Sequence, residues 1–373
     1  MGIEGIGKIQ CVVNNVEPCD EGKPVIEEAY SAEQPLQIPS RLMTGVAIPT
    51  GLIKLFAGEN TKTSDESIEV RIRELTEALR DEDAFVRADA AEALGRMGPS
   101  AQSAVPALIE ALMDEDSRVR NLAAYALRGI GPAAEAAIPA LIEALSDEDL
   151  GVRLNAVWAL GRIGPAAEAA IPALIGVLKD GNSSVRVAAA WTLVEIGSAA
   201  VPALIEALSD EDSDVRLNAA DTLGRIGPAA EAAIPALAEA LRDENPEVRA
   251  GAAYVLGRIG LALVEIGHVA GATIPALAEA LKDENLFVRL NAARALGRIG
   301  PAAEAAIPAL IDALKDGSSS VRAVAANALG RMGSAAGPAI HALVEALMDG
   351  NSSVREAAAH ALNRIVVIET QNP

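Results

Sequence analysis

Histidine, cysteine and aromatic residues are nearly missing from this chain of 373 residues, and each shortage removes a class of function. The three histidines, His268, His341 and His360, have no second His or Cys at ligand spacing, so no metal site is encoded locally. The two cysteines, Cys11 and Cys19, stand close together near the N-terminus. They are two free thiols in a reducing compartment or close one short loop in an oxidising one, and a disulfide-built scaffold is excluded. Long apolar runs are also absent: none approaches the roughly 20 residues that cross a bilayer, and MGIEGIGKIQ lacks a basic region feeding an apolar stretch. A cytoplasmic chain is the expectation. Basic residues are outnumbered, 31 Lys and Arg against 52 Asp and Glu, for a formal net charge of -21. Such a field repels phosphate backbones and anionic lipid heads, which disfavours nucleic acid and membrane partners unless the basic residues gather on one face. No G-x-S-x-G or phosphate-cradling loop occurs, and the acidic DED and DEN turns lack the spacing of a calcium loop. No catalytic residue and no cofactor is therefore expected.

What the chain has is a period. Val-Arg pairs place arginines at Arg87, Arg120, Arg153, Arg186, Arg216, Arg249, Arg289, Arg322 and Arg355, with successive differences of 33, 33, 33, 30, 33, 40, 33 and 33. A fixed period of this length means that one unit cannot bury its own apolar face and that stacked neighbours supply the core. The unit from Ile138 to Ala170, IPALIEALSDEDLGVRLNAVWALGRIGPAAEAA, holds two helical patterns around an acidic turn. Pro139 suits the start of the first helix, where its missing N–H costs nothing. Asp147, Glu148 and Asp149 offer oxygens to the N–H groups opening the second helix. Gly164-Pro165 reads as a C-cap and a breaker. Asn182-Ser183-Ser184 and Asn351-Ser352-Ser353 match a glycosylation sequon, but they fall in the same turns, where small polar residues already have a structural reason to be.

The pattern resembles the HEAT-repeat family, in particular the short bacterial form called phycobilisome-lyase-like HEAT repeats. The motif that carries the resemblance is D-x5-R followed by Ala-Ala, Leu and Ile-Gly, as from Asp210 to Gly227, and it covers roughly residues 65 to 368. The fold this implies is all-α: a right-handed α-solenoid of about nine HEAT-like helix pairs over residues 65–373, preceded by a non-repeat N-terminal extension over residues 1–64. The resemblance also implies that the turn Asp and the Arg six residues later build a hydrogen-bonded ladder between adjacent repeats. Di-iron relatives among helical-repeat proteins use paired His-Glu motifs, which this chain lacks. Related lyase subunits attach or detach bilin chromophores, so a bilin lyase subunit is the one enzyme reading the resemblance brings.

Registering the repeats on the Val-Arg arginine exposes a face. Ala three after it, Leu seven after it and Ile or Met ten after it are nearly fixed and define the core. The position five after it points the other way and varies most: Glu92, Tyr125, Trp158, Trp191, Asp221, Tyr254, Arg294, Asn327 and His360. Both tryptophans and two of the three tyrosines stand there. Phe85 and Phe287, two before their arginines, fall on the same stripe. The register nine after it reads Arg96, Arg162, Arg225, Arg258, Arg298, Arg331 and Arg364, with Gly129 and Glu195 as exceptions. If second helices line the concave side, as the resemblance implies, an acidic protein carries a basic, aromatic groove for a protein or peptide partner, and Tyr, Trp and Arg are the residues enriched at binding hot spots. The competing reading is packing between repeats, with the arginines answering helix dipoles.

Two intervals break the period. Between Arg186 and Arg216, Ser198-Ala199-Ala200 replaces the longer Pro-Ala-Ala-Glu-Ala-Ala connector, a change expected to alter only a turn. Between Arg249 and Arg289, the extra LALVEIG from Leu261 to Gly267 either lengthens the second helix or loops out. Residues 1–64 form a cap, a tail or a docking arm through the apolar stretch from Leu42 to Phe56, and through that stretch the chain could assemble.

Overall fold

The computed structural model describes residues 65–268 and 271–371; residues 1–64, and with them both cysteines and the proposed docking arm, lie outside the described residues. Among the described residues every regular element is helical, and the helices fall into nine pairs. The first helices are α1 (Asp65–Ala78), α3 (Val105–Ala111), α5 (Ile138–Ala144), α7 (Ile171–Val177), α9 (Val201–Ala207), α11 (Ile234–Ala240), α13 (Thr273–Ala280), α15 (Ile307–Ala313) and α17 (Ile340–Ala346). The second helices are α2 (Ala84–Met97), α4 (Ser117–Ile130), α6 (Leu150–Ile163), α8 (Ser183–Ile196), α10 (Ser213–Ile226), α12 (Pro246–Glu265), α14 (Leu286–Ile299), α16 (Ser319–Met332) and α18 (Ser352–Gln371). Consecutive second helices pack side by side, and each first helix packs on its own partner. This is an α-solenoid.

Seven-residue first helices such as α5 are too short to persist alone in water, so packing must hold them. The fixed registers supply it: Ala123, Leu127 and Ile130 in α4 are fully buried, as are Ala156 and Leu160 in α6 and, from the first helix, Leu141. Second helices start at a side-chain cap, except α16, where Ser318 makes no such bond. Asp149 accepts hydrogen bonds from the N–H groups of Gly151 and Val152. Asn182 does the same for Ser184, which accounts for the sequon-like asparagine. Gly164 ends α6 at φ +76°, ψ -139°, a region only glycine occupies at ease. The proline after it does not end helicity, however: residues Gly164–Ala170 continue as a 3-10 segment with Ala167 and Ala170 buried, so the connector is part of the core.

The ladder runs between repeats, from each arginine to the aspartate of the next unit. Arg87 donates through Nε and Nη2 to Asp114 at 2.7 and 2.8 Å while its Nη1 donates to the carbonyl of its own turn Asp81 at 2.9 Å. Asp114 in turn accepts from the N–H of Asp116. Equivalent rungs join Arg120 to Asp147, Arg153 to Asp180, Arg216 to Asp243, Arg249 to Asp283, Arg289 to Asp316 and Arg322 to Asp349, all at 2.7–2.8 Å. Burial pushes the Asp114 carboxyl up, but hydrogen bonds from Arg87 and from the Asp116 N–H, with the charges of Arg87 and Arg120, outweigh it and hold the group below the usual carboxylate range. The same balance lowers Asp147, Asp180 and Asp243. One rung is missing. Arg186 donates only to the carbonyl of Asp180, and no ion pair within 4.0 Å joins it to Asp210. This is where the connector shrinks to the four-residue segment Gly197–Ala200, so the shortening does more than alter a turn: it shifts the next aspartate out of reach.

The longer interval resolves as an extended helix. α12 runs to Glu265, past Gly260, which is buried in its interior, and Gly267 takes over the cap glycine's role at φ +81°. Contrary to the expectation from composition, two stretches, Leu150–Val177 and Ser183–Ala207, are long and apolar enough to cross a membrane. Each consists of two helices bent at a positive-φ glycine, Gly164 or Gly197, and their apolar residues Leu160, Leu174, Leu193 and Leu204 fill the repeat core.

Candidate partner-binding face

The register five after each arginine is less exposed than a single helix would make it. Tyr125 is 36% exposed and Trp158, Trp191 and Tyr254 are half-buried. At Tyr125 the cause is the glycine of Leu94-Gly95-Arg96. A Cβ on Gly95 would stand 2.9 Å from Cα of Ala126 and 3.0 Å from Cδ1 of Tyr125, so second helices approach to backbone contact and the ring leans over the preceding helix. In α4 the order is reversed to Arg128-Gly129, because Gly129 faces the carbonyl of Gly95 with no room for a side chain.

The arginines nine after the Val-Arg arginine are exposed, and the two registers meet across the repeat boundary. Arg225 of α10 stacks over Trp191 of α8 with its Cζ 5.2 Å from the ring centroid, and Arg298 of α14 stacks over Tyr254 of α12 at 5.5 Å. Trp158 is covered instead by Arg128 from the repeat before, at 5.6 Å. Such cation–π contacts contribute about 0.5–1 kcal/mol at partly exposed sites. Phe85, 66% exposed, lies under Arg118 at 5.3 Å, and Phe287, 44% exposed, opens α14. Arg118 and Arg128 were not legible as site residues because Arg118 falls in an irregular register and Arg128 in one that holds glycine in most repeats, as at Gly95 and Gly161.

Two of the stripe arginines are neutralised within their own helix: Arg96 pairs with Glu92 and Arg225 with Asp221, each at 2.7 Å. Arg162 is exposed, with no carboxylate within 4.0 Å among the described residues. Arg258 and Arg298 line a shallow depression of about 210 Å³ with Tyr254, Leu261, Ala262 and Glu265, one wall of which is the extension of α12. A second depression, of about 480 Å³, opens beside the Arg153–Asp180 rung, where Gly176 stands in place of the glutamate of Glu143 in the preceding repeat. Among the described residues no group of three or more His, Cys, Asp or Glu side chains is placed to hold a metal ion.

A family model described as HEAT repeats matches residues 72–151, 105–183, 138–210, 171–257, 234–321 and 307–369, which together leave no gap between residues 72 and 369. No curated protein matches the chain. Among solved structures, an engineered protein is 26% identical, with 81% of this chain and 89% of that one covered and a TM-score of 0.43. Kap95p, in a structure with RanGDP, is 16% identical, with 84% of this chain covered and a TM-score of 0.50. The chain spans 45% of that structure's length, and the likeness is one of fold.

Proposed function

Because the chain belongs to the HEAT-repeat family, we propose that it is a non-enzymatic scaffold of the cytoplasm that binds a protein or peptide partner along the exposed face of its second helices. The observation that carries this reading is the alignment of aromatic rings and arginines into one stripe across repeat boundaries, on a molecule whose formal net charge is -21. Rigid, half-buried aromatics paired with arginines contribute large contact areas at low entropic cost. Tyr125, Trp158, Trp191 and Tyr254 would supply the rings, with Phe85 and Phe287 at the helix starts; Arg162 and Arg258 would supply free charge. Residues 1–64 would add an assembly contact through Leu42 to Phe56.

The test is a purified partner, first identified by capture on the full chain, then titrated against wild type and against Trp158→Ala with Trp191→Ala. We expect at least about a hundredfold weaker binding, the scale of losing two hot-spot rings. Unchanged affinity would sink the groove reading. The phycobilisome-lyase-like subtype supplies the second reading, in which the stripe holds a bilin with Arg162 or Arg225 on its propionates. Of these Arg162 is the one with a free charge, since Arg225 is already paired with Asp221. On the scaffold reading, absorbance of added bilin stays unshifted.

A further inference from the structure

The stripe is not uniform along its length. Its first half carries acids beside its bases, Glu92 under Arg96 and Asp221 under Arg225. From Tyr254 onward the two registers read Arg258, Arg294, Arg298, Asn327, Arg331, His360 and Arg364. None of these five arginines has a carboxylate within 4.0 Å among the described residues. That is a run of uncompensated positive charge across the second helices of four consecutive repeats, in a protein with 52 acidic residues to draw upon.

Its centre is desolvated. Arg294 is half-buried and stands one turn before Arg298 on α14, so two guanidiniums share a face with no counter-ion. Burial lowers the Arg294 pKa, and the charge of Arg298 lowers it further. A guanidinium does not deprotonate to relieve this, so the cost stands until an anion arrives. Beside it, Arg258 and Arg298 converge on the depression walled by Tyr254, Leu261 and Ala262, with Glu265 on its rim. A forked donor matches a carboxylate two bonds at a time, and the apolar wall suits the methylenes that carry one.

We infer that the C-terminal part of the second-helix face, from Tyr254 to Arg364, is a receptor for an acidic peptide segment, with one carboxylate seated between Arg258 and Arg298 and with Arg294 adding its charge from one turn away on α14. This rests on the scaffold reading above and names the chemistry of its partner. A nucleic acid fits less well: a long polyanion would run past this short run into the acidic turns that open every repeat, under a net charge of -21.

Fluorescence anisotropy on the full-length protein in low salt decides, with fluorescein-labelled decaglutamate as the probe and decalysine and a ten-base oligothymidylate as controls. We expect decaglutamate to bind in preference to the oligothymidylate. Arg294→Gln with Arg298→Gln should weaken it at least about tenfold, the scale of losing one charge-assisted hydrogen bond. Arg331→Gln, an exposed change that cannot unfold the array, should weaken it about threefold or more through the loss of one steering charge. Arg242→Gln, an exposed change outside the second helices whose charge is already paired with Glu239 at 3.0 Å, should leave it unchanged. Equal affinity across all four proteins, or tighter binding of the oligothymidylate, overturns the inference. If decaglutamate fails to bind while capture of the partner still depends on Trp158 and Trp191, the acidic-partner inference falls and the scaffold reading stands. Decaglutamate binding that requires Arg294, with no protein partner found, reverses that outcome.

Discussion

The two junctions that break the period respond in opposite ways. Between the fourth and fifth repeats three residues are lost from the connector, and the rung from Arg186 to Asp210 is absent. Between the sixth and seventh, seven residues are gained, yet Arg249 reaches Asp283 at 2.8 Å as its counterparts do elsewhere. The difference lies in where the change falls. The insertion extends α12 along its own axis by about two turns and carries Gly267 to end it, so the next first helix still docks in register. The deletion shortens the buried 3-10 connector to Gly197–Ala200, which keeps Ala200 buried as Ala170 is but has no counterpart of Ala167. A junction can therefore gain helix length and keep its rung, while the one with the shortened connector lacks it.

The largest effect should come from removing a rung that exists. Arg216→Ala leaves Asp243 buried without its partner, the side chains being 8% and 9% exposed, and should cost about 3 kcal/mol. Arg186→Ala, which breaks no ion pair, should cost under about 1 kcal/mol. Hydrogen exchange repeat by repeat measures both, and the first should loosen the adjoining repeats as well, because each unit is stabilised by its neighbours. Equal losses would show that the rungs contribute nothing beyond the carbonyl bonds both arginines make.

Restoring the missing connector sharpens the same contrast. Replacing Ser198-Ala199-Ala200 by Pro-Ala-Ala-Glu-Ala-Ala should bring Arg186 onto Asp210 and stabilise that junction by about 1–3 kcal/mol, the scale of a charged hydrogen bond. Urea melts followed by exchange at Ala188 and Ala219 would detect it.

Acid should act on the rungs and spare the gap. Asp114, Asp147, Asp180 and Asp243 are held below the ordinary carboxylate range, so their contribution is complete above the unfolded-state value near 3.8 and is lost as pH falls through the lower folded value. Stability should be flat from neutral pH to about pH 5 and decline below about pH 4. Asp243→Asn should flatten that decline measurably in a calorimetric pH series; a decline of identical depth would place the acid sensitivity elsewhere.

The smallest effect concerns the insertion. Thr273, fully buried where α13 begins, has a hydroxyl with no hydrogen-bond partner among the described residues. Thr273→Val, nearly the same shape without the orphan oxygen, should stabilise by up to about 1 kcal/mol. A lower melting temperature would mean that the hydroxyl is satisfied.

Much of this was legible in the sequence for physical reasons. The Val-Arg period, Pro139, the Asp149 cap and Gly164 are local signals, and local chemistry fixes helix starts, ends and core faces such as Ala123, Leu127 and Ile130. The direction of the ladder was not, because a spacing of six between Asp81 and Arg87 is equally compatible with a bond inside the repeat and with the observed bond to Asp114. The half-burial of Trp158 and Trp191 does not follow from a helical wheel, which treats each helix alone, whereas Arg128 and Arg225 reach over these rings from neighbouring second helices. The close approach of second helices does have a signal in the first glycine of Leu-Gly-Arg-Ile-Gly, as at Gly95 against Ala126, beside the second glycine, which is the cap. The sequence leaves the insertion open between helix and loop because the second Ile-Gly at Ile266-Gly267 terminates either.

The gap at Arg186 has a mechanical meaning. In a stack where force passes only from neighbour to neighbour, the interface lacking its tie is the plane along which the stack parts first. Four repeats on one side and five on the other should therefore behave as separate load-bearing segments, and stretching single molecules end to end should show a first yield at this boundary that the repaired connector abolishes.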